Sequence, residues 1–152
     1  MNQLLPFKLG DETYAIEVTD IQEVVENQPI FPVPGAPETI AGAIGFHGRI
    51  VPVVDLPQLL GFSAGPRAKR ILVLTDGHGP VALTVDMVRR IISVDLANAT
   101  LTQSQSEQNC IHGVLNWREE MISLLDLEQL WLLMETLYSR TGGDVGKDRI
   151  DR

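Results

Sequence analysis

A single cysteine, Cys110, among 152 residues leaves no partner for an internal disulfide, and a reducing compartment is the environment such a chain fits. No apolar run approaches the roughly 20 residues that a membrane-spanning helix requires, and the opening Met1-Asn2-Gln3-Leu4-Leu5-Pro6 lacks the basic and apolar regions of a signal peptide. A soluble, cytoplasmic protein is expected, with any membrane association made through a partner and no direct insertion. Basic residues are also scarce. Twelve Lys and Arg stand against twenty Asp and Glu, for a formal net charge of -8. No basic run interleaved with aromatics offsets that balance, so nucleic acid is not an expected partner.

Catalytic and metal-binding patterns are missing as well. His47, His78 and His112 are the only histidines, and none has a second His or Cys at ligand spacing. The neighbours Cys110 and His112 supply two potential ligands where zinc needs three or four. No Ser or Cys sits in a nucleophile elbow, and Gly42, Gly45 and Gly48 do not open a long helix as a phosphate loop does. The chain is read as a non-enzyme with no cofactor and no metal.

What is present is apolar patterning on a globular scale. Hydrophobic residues make up 44% of the chain and charged residues 21%, an ordinary composition for one folded domain with subdomains. Leu5, Phe7 and Leu9 alternate, Gly10-Asp11-Glu12 supplies a turn, and Tyr14, Ile16 and Val18 alternate again, which predicts a hairpin. Ile21, Val24 and Val25 stand at helical spacing, followed by a rigid passage with Pro29, Pro32, Pro34 and Pro37. Ile50 to Val54 reads as a buried strand that Pro52 confines to an edge or bulge. Leu56, Leu59 and Leu60 predict a short helix stopped by Gly61.

The cycle restarts after a loop at 62–69. Ile71 to Thr75 predicts a strand, Asp76 to Pro80 a turn around His78, and Val81, Leu83 and Val85 a second strand. Val88, Ile91 and Ile92 again stand at helical spacing. Residues 97–109 read as an exposed connection, Met121 to Leu125 as a strand, and Leu127 to about Tyr138 as a helix whose apolar stripe includes Leu130, Trp131, Met134 and Leu137. Burial of that stripe against the protein's own barrels is expected over docking of a partner. The stretch 139–152 reads as a disordered tail.

The most informative feature is an internal repeat. Residues 40–60 match residues 111–131 at a constant offset of 71 without a gap, with six identities: Ile40, Gly42, Asp55, Leu56, Gln58 and Leu59 against Ile111, Gly113, Asp126, Leu127, Gln129 and Leu130. Upstream, Ala15, Val18, Ile21 and Val24 match Ala82, Val85, Val88 and Ile91 at an offset of 67. Two copies are too few for a solenoid. Two small barrels side by side, with repeat halves at about 5–61 and 70–133 of a domain spanning 1–138, are the simpler solution. Each Asp of the repeat follows a strand and precedes Leu-x-Gln-Leu, so Asp55 with Gln58 and Asp126 with Gln129 are read as helix caps rather than as a catalytic carboxylate pair.

Phe7-Lys8-Leu9-Gly10-Asp11-Glu12-Thr13-Tyr14-Ala15-Ile16, Ile21-x-x-Val24, Pro37-x-x-Ile40-x-Gly42, Gly48-x-x-Val51-Pro52-Val53-x-Asp55-Leu56 and Leu83-x-Val85-Asp86-x-Val88, taken in order, resemble the CheW family of bacterial chemotaxis coupling proteins from about residue 5 to residue 133. The resemblance implies a mainly β fold with two SH3-like, five-stranded β-barrel subdomains, short helices and a C-terminal helix. It further implies an adaptor that ties methyl-accepting chemotaxis receptors to the regulatory domain of a CheA-type histidine kinase. Carried over by residue, the receptor interface uses Ile21, Glu23 and Val24, with His47 opposite. The family usually has Asn-Leu-Arg-Gly where this chain has Gly45-Phe46-His47-Gly48. Histidine is shorter than arginine and titrates near neutrality, so an ion pair of His47 with Glu23 would weaken as pH rises. Two other readings stand beside this one: an accessory CheW-like protein with altered receptor binding, and a peptide- or ligand-binding β-barrel module with a deep apolar pocket.

Overall fold

The computed structural model describes residues 1–62, 70–75, 77, 79–97, 99, 101–102 and 110–136. The expected loop at 62–69 beyond Phe62, His78 at its turn, most of the 97–109 connection, Leu137, Tyr138 and the tail lie outside the described residues.

Two antiparallel hairpins set the pattern. β1 (Asn2–Leu9) returns as β2 (Glu12–Glu17) through Gly10, whose φ of 61° suits a residue without Cβ. A 3-10 turn at Val18–Asp20 leads into β3 (Ile21–Glu26). β4 (Ile40–Phe46) and β5 (Arg49–Val54) form the second hairpin, followed by the one-turn helix α1 (Leu56–Leu59). The second cycle comprises β6 (Arg70–Leu74), β7 (Ala82–Val85), β8 (Met87–Val88), β9 (Ile92–Val94), β10 (Leu101–Thr102), β11 (Ile111–Trp117), β12 (Glu120–Leu125) and the helix α2 over residues 127–136.

These strands form two sheets. One runs β10-β11-β12-β2-β1-β8 with β9 also on β1, and the other β3-β6-β7-β5-β4. The fold is mainly β in two SH3-like subdomains. Five strands per barrel were expected, and the first sheet has seven. Its surplus comes from two places. The counterpart of β3 is split at Arg89–Ile91 into β8 and β9, and β10 adds a short strand inside the stretch expected to be a plain connection.

The repeat is a repeat of backbone pairing, and it extends beyond the identities. Ile40↔Val54, Gly42↔Val53 and Phe46↔Arg49 recur as Ile111↔Leu125, Gly113↔Leu124 and Trp117↔Glu120, with a bulge at the same place in each hairpin. The isolated bridge Phe31↔Ala43 recurs, 71 residues on, as Thr102↔Val114. At the other offset, Ile71↔Val25 recurs as Leu4↔Ile92.

The halves do not build one barrel each. β2, from the first half, pairs in parallel with β12 of the second through Ala15↔Leu124, and β7 of the second half pairs in parallel with β5 of the first through Ala82↔Val53. Each sheet therefore contains the hairpin of one half and the later strands of the other. The exchange places Phe7, Tyr14, Leu72 and Leu83 in one continuous core with Leu56 and Leu130 of the two helices. Residues of α2 also pack on it, namely Leu127, Trp131, Leu133 and Met134, as the apolar stripe predicts.

Three expectations are corrected. Ile21 to Val25 is strand β3, not a helix, because a bulge between Ile21 and Glu23 inserts a residue and gives a strand the spacing of a helix. Val88, Ile91 and Ile92 belong likewise to β8, β9 and the break between them. β5 is internal rather than an edge strand. Pro52 is tolerated there because pairing with β7 begins only at Val53, so the missing N–H faces no partner strand.

The β2–β12 seam carries a polar clasp. Thr13 Oγ1 donates to Glu120 Oε1 at 2.8 Å, and Arg89 Nη1 donates to the same oxygen. Arg89, and then Thr13, hold the Glu120 carboxyl below the usual carboxylate range. The unfolded chain therefore takes up this proton at higher pH than the folded chain. The clasp contributes fully above the unfolded pKa of about 4.3 and is lost as pH falls through the lower folded value. Glu120→Gln should flatten the dependence of the urea midpoint on pH between about 6 and 3. An unchanged slope would remove the clasp from the account. The effect should be modest, since Glu120 remains about a third exposed, 31% by side-chain area.

Candidate interaction surfaces

The four capping residues test the local reading first. Asp55 Oδ1 accepts from Gln58 N at 3.2 Å, and Asp126 Oδ1 accepts from Gln129 N at 3.1 Å. Each carboxylate thus accepts from an amide in the first turn of its helix. The glutamines do not complete a capping box. The Asp55 N–H donates to Thr39 O and the Asp126 N–H to Cys110 O, each at 2.7 Å, so the group a glutamine would satisfy is already taken by the residue that precedes β4 or β11. Gln58 Nε2 turns instead to Glu38 Oε2 at 3.3 Å. Asp55→Ala should cost about 1 kcal/mol in chemical denaturation, while Gln58→Ala should stay within about 0.5 kcal/mol. Equal losses would restore the reciprocal box.

Ile21, Glu23 and Val24 lie together on β3, and His47 lies on the turn joining β4 to β5. Ile21 is half-buried against the main core, while Glu23 and Val24 are exposed, Val24 at 36%. β3 and β4 stand at opposite ends of the strand order in their sheet, and no ion pair joins Glu23 to His47 among the described residues. His47 instead adopts φ 50° ahead of Gly48 at φ 76°, a left-handed pair suited to a two-residue hairpin turn. Its ring meets Phe46 edge-on at 4.2 Å between centroids. The second hairpin repeats the device: Arg118 and Glu119 also have positive φ, and the Arg118 guanidinium lies 4.5 Å over Trp117.

A second surface was not visible in the sequence. Directly opposed residues in a sheet share a face, and the register places Phe31, Ala43 and Pro52 in one row across β4 and β5, with Gly45 and Ile50 in the next. Ile50 is 80% exposed and Phe31 62%, and Pro52 is exposed as well, whereas Val51 and Val53 on the opposite face are buried. The stretch Ile50 to Val54, expected to be buried throughout, has one dry face and one wet apolar face. The matching row on β11 and β12 holds Val114, Asn116, Met121 and Ser123; Met121 stands exposed at the place of Ile50, and the two barrels differ at Asn116 and Ser123, where the first has Gly45 and Pro52.

Paired SH3-like barrels with unlike outer faces, joined by exchanged hairpins, define a protein that works by holding others: a scaffold. Residues 3–135 match the model of the CheW-like domain, and the chain belongs to that family. It is 28% identical over 134 residues to the chemotaxis protein CheW of Rhizobium meliloti, covering 85% of this chain and 86% of that one. It is also 28% identical over 130 residues to chemotaxis protein CheW of Thermotoga maritima, covering 84% and 86%. The crystal structure of the scaffolding protein TtCheW from Thermoanaerobacter tengcongensis superposes with a TM-score of 0.74 at 25% identity, over 82% of this chain and 88% of that one. The role of the chain is that of a chemotaxis adaptor. Among the described residues no helix is long and apolar enough to cross a membrane.

Proposed function

We propose that this chain couples methyl-accepting receptors to a CheA-type histidine kinase in the cytoplasm, using one surface for each. Ile21, Glu23, Val24 and the His47 turn form the receptor contact. The apolar outer face of β4 and β5, centred on Phe31, Ile50 and Pro52, seats the regulatory domain of the kinase. The mechanism is contact without turnover: several modest interfaces raise the local concentration of each partner and bias how the kinase is held.

The observation that carries this reading is the Ile50 face. A contiguous apolar row left in water costs solubility unless a partner covers it, and the counterpart row on β11 and β12 is broken by Asn116 and Ser123 beside the exposed Met121, so the fold itself does not demand an unbroken one. A ligand-binding module is less well supported. The cavity of about 530 Å³ over the β2–β12 seam is lined by Lys8, Asp11, Glu12, Glu119 and Glu120 rather than by the apolar wall such a module uses.

Titration calorimetry of the full chain with a kinase regulatory domain, and separately with a receptor cytoplasmic fragment, tests the proposal. Micromolar binding to both is expected. Heat from neither would overturn it.

A further inference from the structure

A cavity of about 320 Å³ opens between the end of β2 and the start of α2, away from the Ile50 face. Its floor is apolar, with Leu4, Ala15 and Ile16 from the first hairpin and Leu124 and Leu125 from β12. Its rim carries four carboxylates, Glu17, Asp20, Asp126 and Glu128, and one residue able to carry positive charge, His112. His112 Nδ1 is 3.9 Å from Asp126 Oδ2, too far for a hydrogen bond.

The internal repeat provides a control for what the fold alone requires here. The exchanged seam recurs around Ala82 and Val53, where the positions equivalent to Glu17, Asp20, His112 and Glu128 are Thr84, Met87, Ala41 and Pro57. Only the capping aspartate is common to both copies, as Asp55 and Asp126. The other three carboxylates belong to this one place and not to the architecture. Of their oxygens, Glu17 Oε1 accepts from Asn2 Nδ2 at 2.8 Å.

We propose that this cavity receives an arginine side chain from a partner protein, with the aliphatic stem on Leu4, Ala15 and Leu124 and the guanidinium among Glu17, Asp126 and Glu128. An apolar floor beneath a carboxylate rim matches the two ends of that side chain, and the planar fork of the guanidinium suits several carboxylate oxygens at once. The site borders the proposed receptor contact, since its rim residue Asp20 directly precedes Ile21, but it includes none of the residues assigned to either coupling surface.

The test uses n-butylguanidinium, which reproduces the arginine side chain, titrated into the full ¹⁵N-labelled protein at fixed ionic strength. Saturable amide shifts confined to the surroundings of Ala15, Leu124 and Glu128 are expected. The neutral analogue n-butylurea should bind at least tenfold more weakly. The double variant Glu17→Gln/Glu128→Gln leaves the Asp126 cap intact and should also lose at least tenfold, with its spectrum elsewhere unchanged. Unsaturating shifts spread over the acidic surface would overturn the proposal, as would equal binding of the urea or an unaffected double variant.

Discussion

Gly42→Ala should destabilise the protein by about 3 kcal/mol, from overpacking and backbone strain together. A Cβ at this position would stand 2.3 Å from Phe31 O and 2.7 Å from Ile30 Cγ2, on a residue whose φ is 149°. Neither neighbour can yield cheaply. Phe31 O accepts from Ala43 N, and Phe31 N donates to Ala43 O, both at 2.8 Å, so moving the carbonyl breaks the bridge that covers the edge of β4. Gly42 also occupies the bulge, where the strand already carries one residue more than its partner. In a domain of this size the loss corresponds to a fall in Tm of roughly 10 °C, measured by calorimetry. A fall of only a degree or two would mean that the 30–31 segment is not held against β4.

Ile50→Asp should separate binding from folding. At 80% exposure Ile50 adds little to the core, so stability should change by less than about 0.5 kcal/mol. A charge at the centre of an apolar interface would instead remove a buried anchor and leave an unpaired carboxylate behind. Affinity for the kinase regulatory domain should fall at least about 30-fold, which is about 2 kcal/mol, while affinity for the receptor fragment stays as it was. Competition binding reads both. Retained kinase affinity would place that contact elsewhere on the molecule.

Much of this architecture can be read from the amino-acid order, and the parts that cannot have physical causes. The offset of 71 reports which positions share an environment. It does not report which copy supplies the neighbour: Ala15 against Leu124 and Ala82 against Val53 place the same residue types together as pairing within each half would. The exchange of hairpins is therefore silent in the sequence. β3 is misread because its bulge turns alternation into helical spacing. The Ile50 face is hidden by the opposite problem. A strand apolar at every position looks buried on both sides, although a barrel has only one inside. That contradiction is the available signal, because an unbroken apolar strand in a barrel implies that something else covers the outer face.

The candidate receptor residues divide in the same way. Exposure of Glu23 and Val24 agrees with a contact surface, whereas the expected pairing of Glu23 with His47 is not made. The ends of the strand order meet as the barrel closes, with Gln28 Nε2 donating to Gly45 O at 3.1 Å and Val25 packed on the cluster of Ile44 and Phe46, so β3 and the hairpin tip can offer one partner a shared surface. Val24 has a counterpart at the other offset, Ile91, which is also exposed. Alternation alone could not single it out, since the break between β8 and β9 interrupts the pattern there.

Coupling requires two surfaces that can be occupied together. Sedimentation velocity of the full chain mixed with both a kinase regulatory domain and a receptor fragment measures this directly. A single boundary with the mass of a one-to-one-to-one complex is the expected result. Displacement of the kinase domain as receptor fragment is added would contradict it.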